Sequence, residues 1–156
     1  GTDMAILVLT NGATLSLARR VGVTLLRVCD GVAANHEFVT MEGSGGIMCP
    51  IRYDDKAHYF LEDIIQWLHL PTIIIGHAGL GTINSVVLTV EYLRHRNIPV
   101  KGIILNNYVG GTMEEDNIAM IEAITKVPVL GVVREGDTEL DIKPDVLAGL
   151  YDELKA

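Results

Sequence analysis

Hydrophobic and polar residues alternate in short blocks along this chain, and the blocks follow two patterns. A continuous β-branched run at 72–76 is typical of a parallel strand buried on both faces of a sheet, and further strands are predicted at 100–105 and 128–133. Helices are predicted from apolar spacing, terminal charges or an N-terminal proline. They are expected at 24–35, 58–69, 82–96, 114–126 and 144–154.

The first 42 residues are harder to assign from their pattern. The apolar run at 4–9 is too short for periodicity to distinguish a strand from a helix. Thr2 or Asp3 could cap a helix and Asn11 with Gly12 could end one, so a short helix is predicted there. A strand is predicted at 37–41, directly before Glu42.

Helix and strand alternate from residue 24 to the end of the chain, which predicts a three-layer α/β fold in one domain over 1–156. The sheet is expected to be mainly parallel, as in P-loop NTPases. Ligands of such sheets bind beyond the carboxyl ends of the strands. Three predicted strand ends carry groups that could bind a ligand: Glu42, the loop at 79–81 and Asn106. We therefore expect them to meet at one rim.

Composition limits the classes of partner. The 156 residues include 20 acidic and 12 basic ones, giving a net charge of −8 without a basic block, so nucleic acid is not the expected main partner. Nucleotides remain possible, because their sites use local backbone donors. No apolar run approaches the roughly 18 residues that a membrane span requires. Cys29 and Cys49 are isolated, which favours reduced thiols and a cytoplasmic location.

The segment at 42–46 has the composition of a phosphate-binding turn. Glu42 supplies a hard oxygen ligand for Mg²⁺, and the glycine-rich backbone of Gly43, Ser44 and Gly45 allows N–H groups to approach an anion. The alternative is an ordinary tight turn with Glu42 exposed to solvent.

A second glycine loop lies between the strand at 72–76 and the next helix. Free N–H groups at the start of that helix would attract a carboxylate or phosphate. The loop is not a dinucleotide fingerprint, because Asn84 occupies the place of the third glycine. Alternatively, the glycines only form the turn and Thr82 caps the helix.

Other polar residues carry weaker signals. The Asn106 amide could meet adenine, which offers a donor and an acceptor, or it could belong to an asparagine turn. The five histidines lack the spacing of a helical zinc pair, and only His77 lies at the predicted rim. The acidic run at 114–116 is predicted to be a solvated helix start.

Five motifs occur in the order found in dethiobiotin synthetases. Residues 41–46, Met-Glu-Gly-Ser-Gly-Gly, resemble that family's Val-Glu-Gly-Ala-Gly-Gly motif. Residues 79–84 are similar to its loop-to-helix motif, and 100–106 to its nucleotide-base strand. Segments 115–118 and 127–131 follow in the same order, so the resemblance covers about residues 17–134.

This resemblance implies a homodimeric, ATP-dependent ligase of biotin biosynthesis. Its substrates would be 7,8-diaminopelargonate and CO2 or bicarbonate: an amine forms a carbamate, ATP phosphorylates it, and the second amine closes the ureido ring. Glu42 would bind Mg²⁺, and the implied ATP site comprises Glu42, Gly43, Ser44, Gly45, Asn106 and Asn107. The substrate carboxylate would be bound across the dimer interface by Gly79, Leu80, Gly81, Thr82 and Asn84. The loop after Val133 would close over the nucleotide.

The sequence departs from the family at its front, because it contains no G-x-x-x-x-G-K-[ST] phosphate loop. That loop supplies much of the electrostatic stabilisation in phosphoryl transfer. We therefore expect this chain to be a poor catalyst by itself, either because the loop lies outside it or because activity has been lost. In the latter case the chain would be a catalytically inactive binding or regulatory domain. Amidotransferase-type and partitioning-type ATPases are a further alternative, and they too require a phosphate loop.

Overall fold

The computed structural model of the protein describes residues 5–11, 38–42 and 46–151. The strands are β1 (Ala5–Asn11), β2 (Phe38–Glu42), β3 (Pro50–Asp54), β4 (Ala57–Phe60), β5 (Thr72–His77), β6 (Val100–Asn106) and β7 (Val129–Val133). The helices are α1 (Leu61–Leu68), α2 (Thr82–His95), α3 (Thr112–Thr125) and α4 (Pro144–Ala148). Among the described residues, none of the helices has the length and hydropathy needed to cross a lipid bilayer.

Five strands form the main sheet in the order β2-β1-β5-β6-β7. β5, β6 and β7 are parallel to one another, whereas β1 is antiparallel to both β2 and β5. Four of the five strands therefore run in one direction, and the predicted α/β class with a mainly parallel sheet is confirmed. The helix predicted at 4–9 is wrong, because this segment is β1, whose backbone pairs with strands on both sides.

The two faces of the sheet pack against two different hydrophobic clusters. Ile74 and Ile103 are paired in the register and belong to the large buried cluster that includes residues of α1, α2 and α3. Ile73 and Ile104 belong instead to a smaller cluster with Leu150 from the C-terminal segment. Burial of both faces explains why the central residues of β5 and β6, at 73–75 and 103–105, are all apolar.

A hairpin formed by β3 and β4 replaces the first residues of a predicted helix. α1 begins at Leu61 and not at residue 58, because residues 57–60 pair with residues 50–54. Asp54 holds the turn: its Oδ1 accepts the N–H groups of Lys56 at 2.8 Å and Ala57 at 2.9 Å. Hydrogen bonds from the Arg52 side chain and then from the Lys56 N–H lower the pKa of Asp54 to about 2.

The remaining predicted elements agree with the structure to different degrees. The strands at 37–41, 72–76, 100–105 and 128–133 and the helices at 82–96 and 114–126 are confirmed within two residues at each end. The last helix, α4, ends at Ala148 and is shorter than the predicted 144–154. The helix predicted at 24–35 lies outside the described residues.

Candidate functional site

The carboxyl ends of β5 and β6 lie side by side and form the rim of the candidate site. His77 is the register partner of Asn106, and the Ala78 N–H donates to the Asn106 carbonyl oxygen at 2.8 Å. Two of the three predicted strand ends are therefore brought together. The loop that follows β5 and the loop that follows β6 leave the sheet at the same point.

The loop after β5 is held by three further hydrogen bonds. The Gly79 N–H donates to Nδ1 of His77 at 2.9 Å, and the Gly79 carbonyl accepts the Thr82 N–H at 3.2 Å. From α3, the Asn117 side-chain amide donates to the Ala78 carbonyl at 3.4 Å. These contacts fix both ends of the loop, while Leu80 at its tip is 88% exposed.

α2 begins directly after this loop with an end that carries no side-chain cap. Its N-cap residue is Gly81, with φ +88°, and no side-chain hydrogen bond caps the helix there. The alternative reading of Thr82 as the cap is therefore wrong: Thr82 is the first helical residue, and its buried Oγ1 has no hydrogen-bond partner among the described residues. Uncapped N–H groups at a helix start can accept an anion.

A glycine in β5 lets α2 lie close against the sheet. A Cβ at Gly76 would stand 2.9 Å from Cγ2 of Val86, a fully buried residue of α2. That separation is too short for any larger residue without displacing the helix. The missing side chain therefore helps to place the start of α2 at the rim.

The loop after β6 is fixed by a buried carboxylate. Oε2 of Glu114 accepts the N–H groups of Val109 at 3.0 Å and Gly110 at 2.6 Å, and Glu114 is only 3% exposed. The prediction that 114–116 is a solvated helix start is thus wrong for Glu114, although Glu115 and Asp116 are exposed. The side chains of Asn106 and Asn107 are exposed at the beginning of this loop.

β7 ends beside Asn106 and brings a cation to the same rim. Val133 is the register partner of Asn106, and its carbonyl accepts the Tyr108 N–H at 2.9 Å. Cζ of Arg134 lies 5.0 Å from the centre of the Tyr108 ring, within the range of a cation–π contact. The segment after Val133 therefore starts next to the two asparagines.

Glu42 is not brought to this rim. It pairs with Leu7, and Leu7 pairs with Ile73, which precedes His77 by four residues, or about 13 Å along a strand. β1 separates β2 from β5, and this register puts Glu42 on the sheet face that Ile73 shares with Leu150, away from the buried cluster of α2. The expected meeting of three strand ends thus holds for two. Residues 43–45 lie outside the described part of the chain.

The described residues do not form a metal centre by themselves. No group of three or more His, Cys, Asp or Glu residues in that part of the chain could hold a metal ion. Mg²⁺ often takes only one or two carboxylates when phosphate oxygens supply the other ligands. The Glu42 carboxylate is exposed and has the oxygen chemistry for that mode, but the ligands would have to be completed by other groups.

A partly open pocket lies at the opposite end of the sheet. This cavity of about 320 Å³ is lined by residues that precede β5 and β6, including Leu70 and Pro99, and by Gln66 and Arg96. The candidate site is at the carboxyl ends of the same strands. The cavity is therefore separate from the rim.

A model of the family described as an AAA domain matches residues 7–138. The chain belongs to this family. The AAA domain match includes β5, β6 and β7 with both rim loops.

The chain is also similar to curated proteins named ATP-dependent dethiobiotin synthetase BioD. The protein of Brachyspira hyodysenteriae (strain ATCC 49526 / WA1) is 50% identical over 115 residues, covering 73% of this chain and 52% of the relative. That of Clostridium botulinum (strain Alaska E43 / Type E3) is 41% identical over 122 residues, covering 78% and 53%. The resemblance inferred from the motifs is confirmed. The chain spans about half the length of these relatives.

Two residues that hold the rim loops were not predicted from the sequence to do so. Glu114 binds the loop after β6, and Asn117 binds the loop after β5. They are three residues apart, so they share one face of α3. A carboxylate and an amide at helical spacing, directly after a Gly-Gly turn, were the available signal.

Proposed function

We propose that the protein carrying this chain is an ATP-dependent dethiobiotin synthetase, which carboxylates 7,8-diaminopelargonate and closes its ureido ring. The observation that carries the proposal is the junction of the two motif loops at one rim, where the Ala78 N–H donates to the Asn106 carbonyl. Relatives named as this enzyme, up to 50% identical, support the reaction class.

The start of α2 is proposed to bind the substrate carboxylate. Gly79, Leu80, Gly81, Thr82 and Asn84 form this part of the site. The uncapped helix end offers N–H groups and the positive end of the helix dipole. The buried Thr82 hydroxyl, which lacks a partner among the described residues, is an additional polar group at the same place.

The start of the loop after β6 is proposed to bind the adenine base. The exposed amides of Asn106 and Asn107 offer donors and acceptors for its edge. Glu114 holds the following backbone, so the two amides project from a fixed loop. The segment beginning at Arg134 is adjacent and would close over the nucleotide.

The phosphates and Mg²⁺ are assigned from the motif at 42–46. Gly43, Ser44 and Gly45 would offer backbone N–H groups to phosphate, and Glu42 would supply one oxygen ligand to the metal. Bound Mg²⁺ would neutralise phosphate charge. The assignment of Glu42 rests on its motif and not on its distance from the rim.

We expect the full-length protein to convert diaminopelargonate, bicarbonate and Mg-ATP into dethiobiotin. Product is measured by mass spectrometry, with ADP and phosphate measured in parallel, and a reaction without ATP is the control. A folded full-length protein that makes no dethiobiotin would contradict the proposed function. ATP binding without turnover would favour the inactive binding domain.

Replacing Glu42 by glutamine is expected to raise the Mg²⁺ concentration required for half-maximal activity at least tenfold, because a neutral amide is a weaker ligand for Mg²⁺ than a carboxylate. Activity titrated with Mg²⁺ measures this. Glu115→Gln is the control, since it removes one exposed charge that is not assigned to the site. An unchanged Mg²⁺ requirement in the Glu42 variant would remove this residue from the metal site.

A homodimer in the cytoplasm is part of the proposal. Leu80 and Val109, at the tips of the two rim loops, are 88% and 85% exposed, and a second copy of the chain would cover such apolar groups. Light scattering after size-exclusion chromatography is expected to give twice the monomer mass, with Leu80→Ser shifting the protein towards monomer. A monomer at micromolar concentration would contradict the dimer.

A further inference from the structure

We propose that His77 is a positioning residue, whose neutral imidazole holds the loop that presents the start of α2 to the substrate. The inference rests on the proposed function for the identity of that substrate. His77 ends β5 and is half-buried, and its Nδ1 accepts the Gly79 N–H at 2.9 Å. The His77 side chain therefore contacts the loop backbone directly.

The imidazole ring lies directly against the loop backbone. A Cβ added to Gly79 would stand 2.9 Å from Cε1 and 3.0 Å from Nδ1 of His77. No larger residue fits at position 79 while the ring keeps its place. The glycine and the histidine are thus a matched pair: one leaves the space that the other occupies.

The hydrogen bond from Gly79 begins a chain of contacts that reaches the helix. Gly79 donates its N–H to the His77 ring and accepts the Thr82 N–H with its carbonyl. The peptide group before Gly79 is therefore held by the end of β5, and the peptide group after it is held by the first residue of α2. Loss of the ring acceptor would free the Gly79 N–H and loosen the connection between the strand and the helix start.

Only one protonation state of His77 can make this contact. Nδ1 accepts a hydrogen bond, so the ring proton is on Nε2 and the imidazole is neutral. An imidazolium donates from both nitrogens and cannot accept the Gly79 N–H. An asparagine at this position carries its amide oxygen at about the place of Nδ1, whereas leucine has a similar size and no acceptor.

The test compares three variants of the full-length protein at pH 8, where an imidazole is ordinarily neutral. His77→Leu is expected to raise KM for diaminopelargonate roughly fivefold and to change kcat less than twofold, the effect of one lost hydrogen bond that orders a binding loop. His77→Asn is expected to restore KM to within about twofold of the wild type. His77→Gln, whose acceptor is one bond farther out, is expected to resemble His77→Leu.

Equal KM values for the leucine and asparagine variants would overturn the proposal. So would a fall in kcat of more than tenfold at unchanged KM in the leucine variant, because that result would make His77 a catalytic residue.

A second measurement does not depend on activity. Nitrogen NMR of the wild-type histidines is expected to show an Nε2–H tautomer for His77, and amide exchange should show a protected Gly79 N–H. That protection should fall at least fivefold in His77→Leu and return in His77→Asn. An unprotected Gly79 in the wild type would overturn the positioning role. Absence of dethiobiotin with normal protection would instead contradict the proposed function alone.

Discussion

Replacing Glu114 by alanine is expected to lower the free energy of unfolding by about 3 kcal/mol. Oε2 of this buried carboxylate accepts two backbone N–H groups, from Val109 and Gly110, and alanine would leave both without that acceptor. Because the same loop starts at Asn106 and Asn107, KM for ATP should also rise. Urea denaturation and steady-state kinetics measure the two effects.

Two further variants separate the role of the Glu114 carboxylate from general effects of charge. Glu115→Ala removes the exposed neighbouring acid and is expected to change stability by less than about 0.5 kcal/mol. Glu114→Gln keeps an acceptor oxygen and loses the charge, so a loss of about 1 kcal/mol is expected. If Glu114→Ala and Glu115→Ala were equally stable, the loop would not depend on the buried carboxylate.

Replacing Arg96 by methionine is also expected to cost about 3 kcal/mol of stability, the lower end of the range for breaking a buried ion pair. Nη2 of Arg96 lies 3.2 Å from Oε1 of Glu62, whose side chain is 8% exposed, and the arginine side chain is itself 36% exposed. Burial and then a hydrogen bond to Glu62 raise the pKa of Tyr92 to about 12. Methionine would leave the Glu62 charge buried without its cation, and urea denaturation measures the loss.

The double variant with Glu62→Met identifies the source of that cost. If the uncompensated Glu62 carboxylate causes it, removing both charges should restore at least half of the lost stability, because no charge at position 62 is then buried without its cation. A double variant less stable than Arg96→Met would show that packing, and not charge, accounts for the effect. Asp63, whose Oδ1 lies 3.6 Å from the same Arg96 nitrogen, remains in both variants.

Each part of the candidate site could be predicted from the sequence to a different extent. The strand ends at His77 and Asn106 were predictable, because glycine or asparagine follows an apolar run in each case. The buried position of Glu114 was not, because an acidic residue in the first turn of a helix is usually solvated. Its partners are backbone N–H groups of the loop after β6, and the path of that loop cannot be read from the sequence.

The sequence by itself determined the three parallel strands, the helices between them and the resemblance to dethiobiotin synthetases. A strand buried on both faces is mostly apolar, so the run at 73–75 in β5 and the run at 103–105 in β6 can be recognised without knowledge of their neighbours. The tertiary structure alone decided that residues 5–11 form a strand, that residues 50–60 form a hairpin and that Glu42 lies away from the rim. These features depend on backbone pairing between segments. Nearly every residue offers the same backbone donor and acceptor, so the side chains do not reveal which segments will pair.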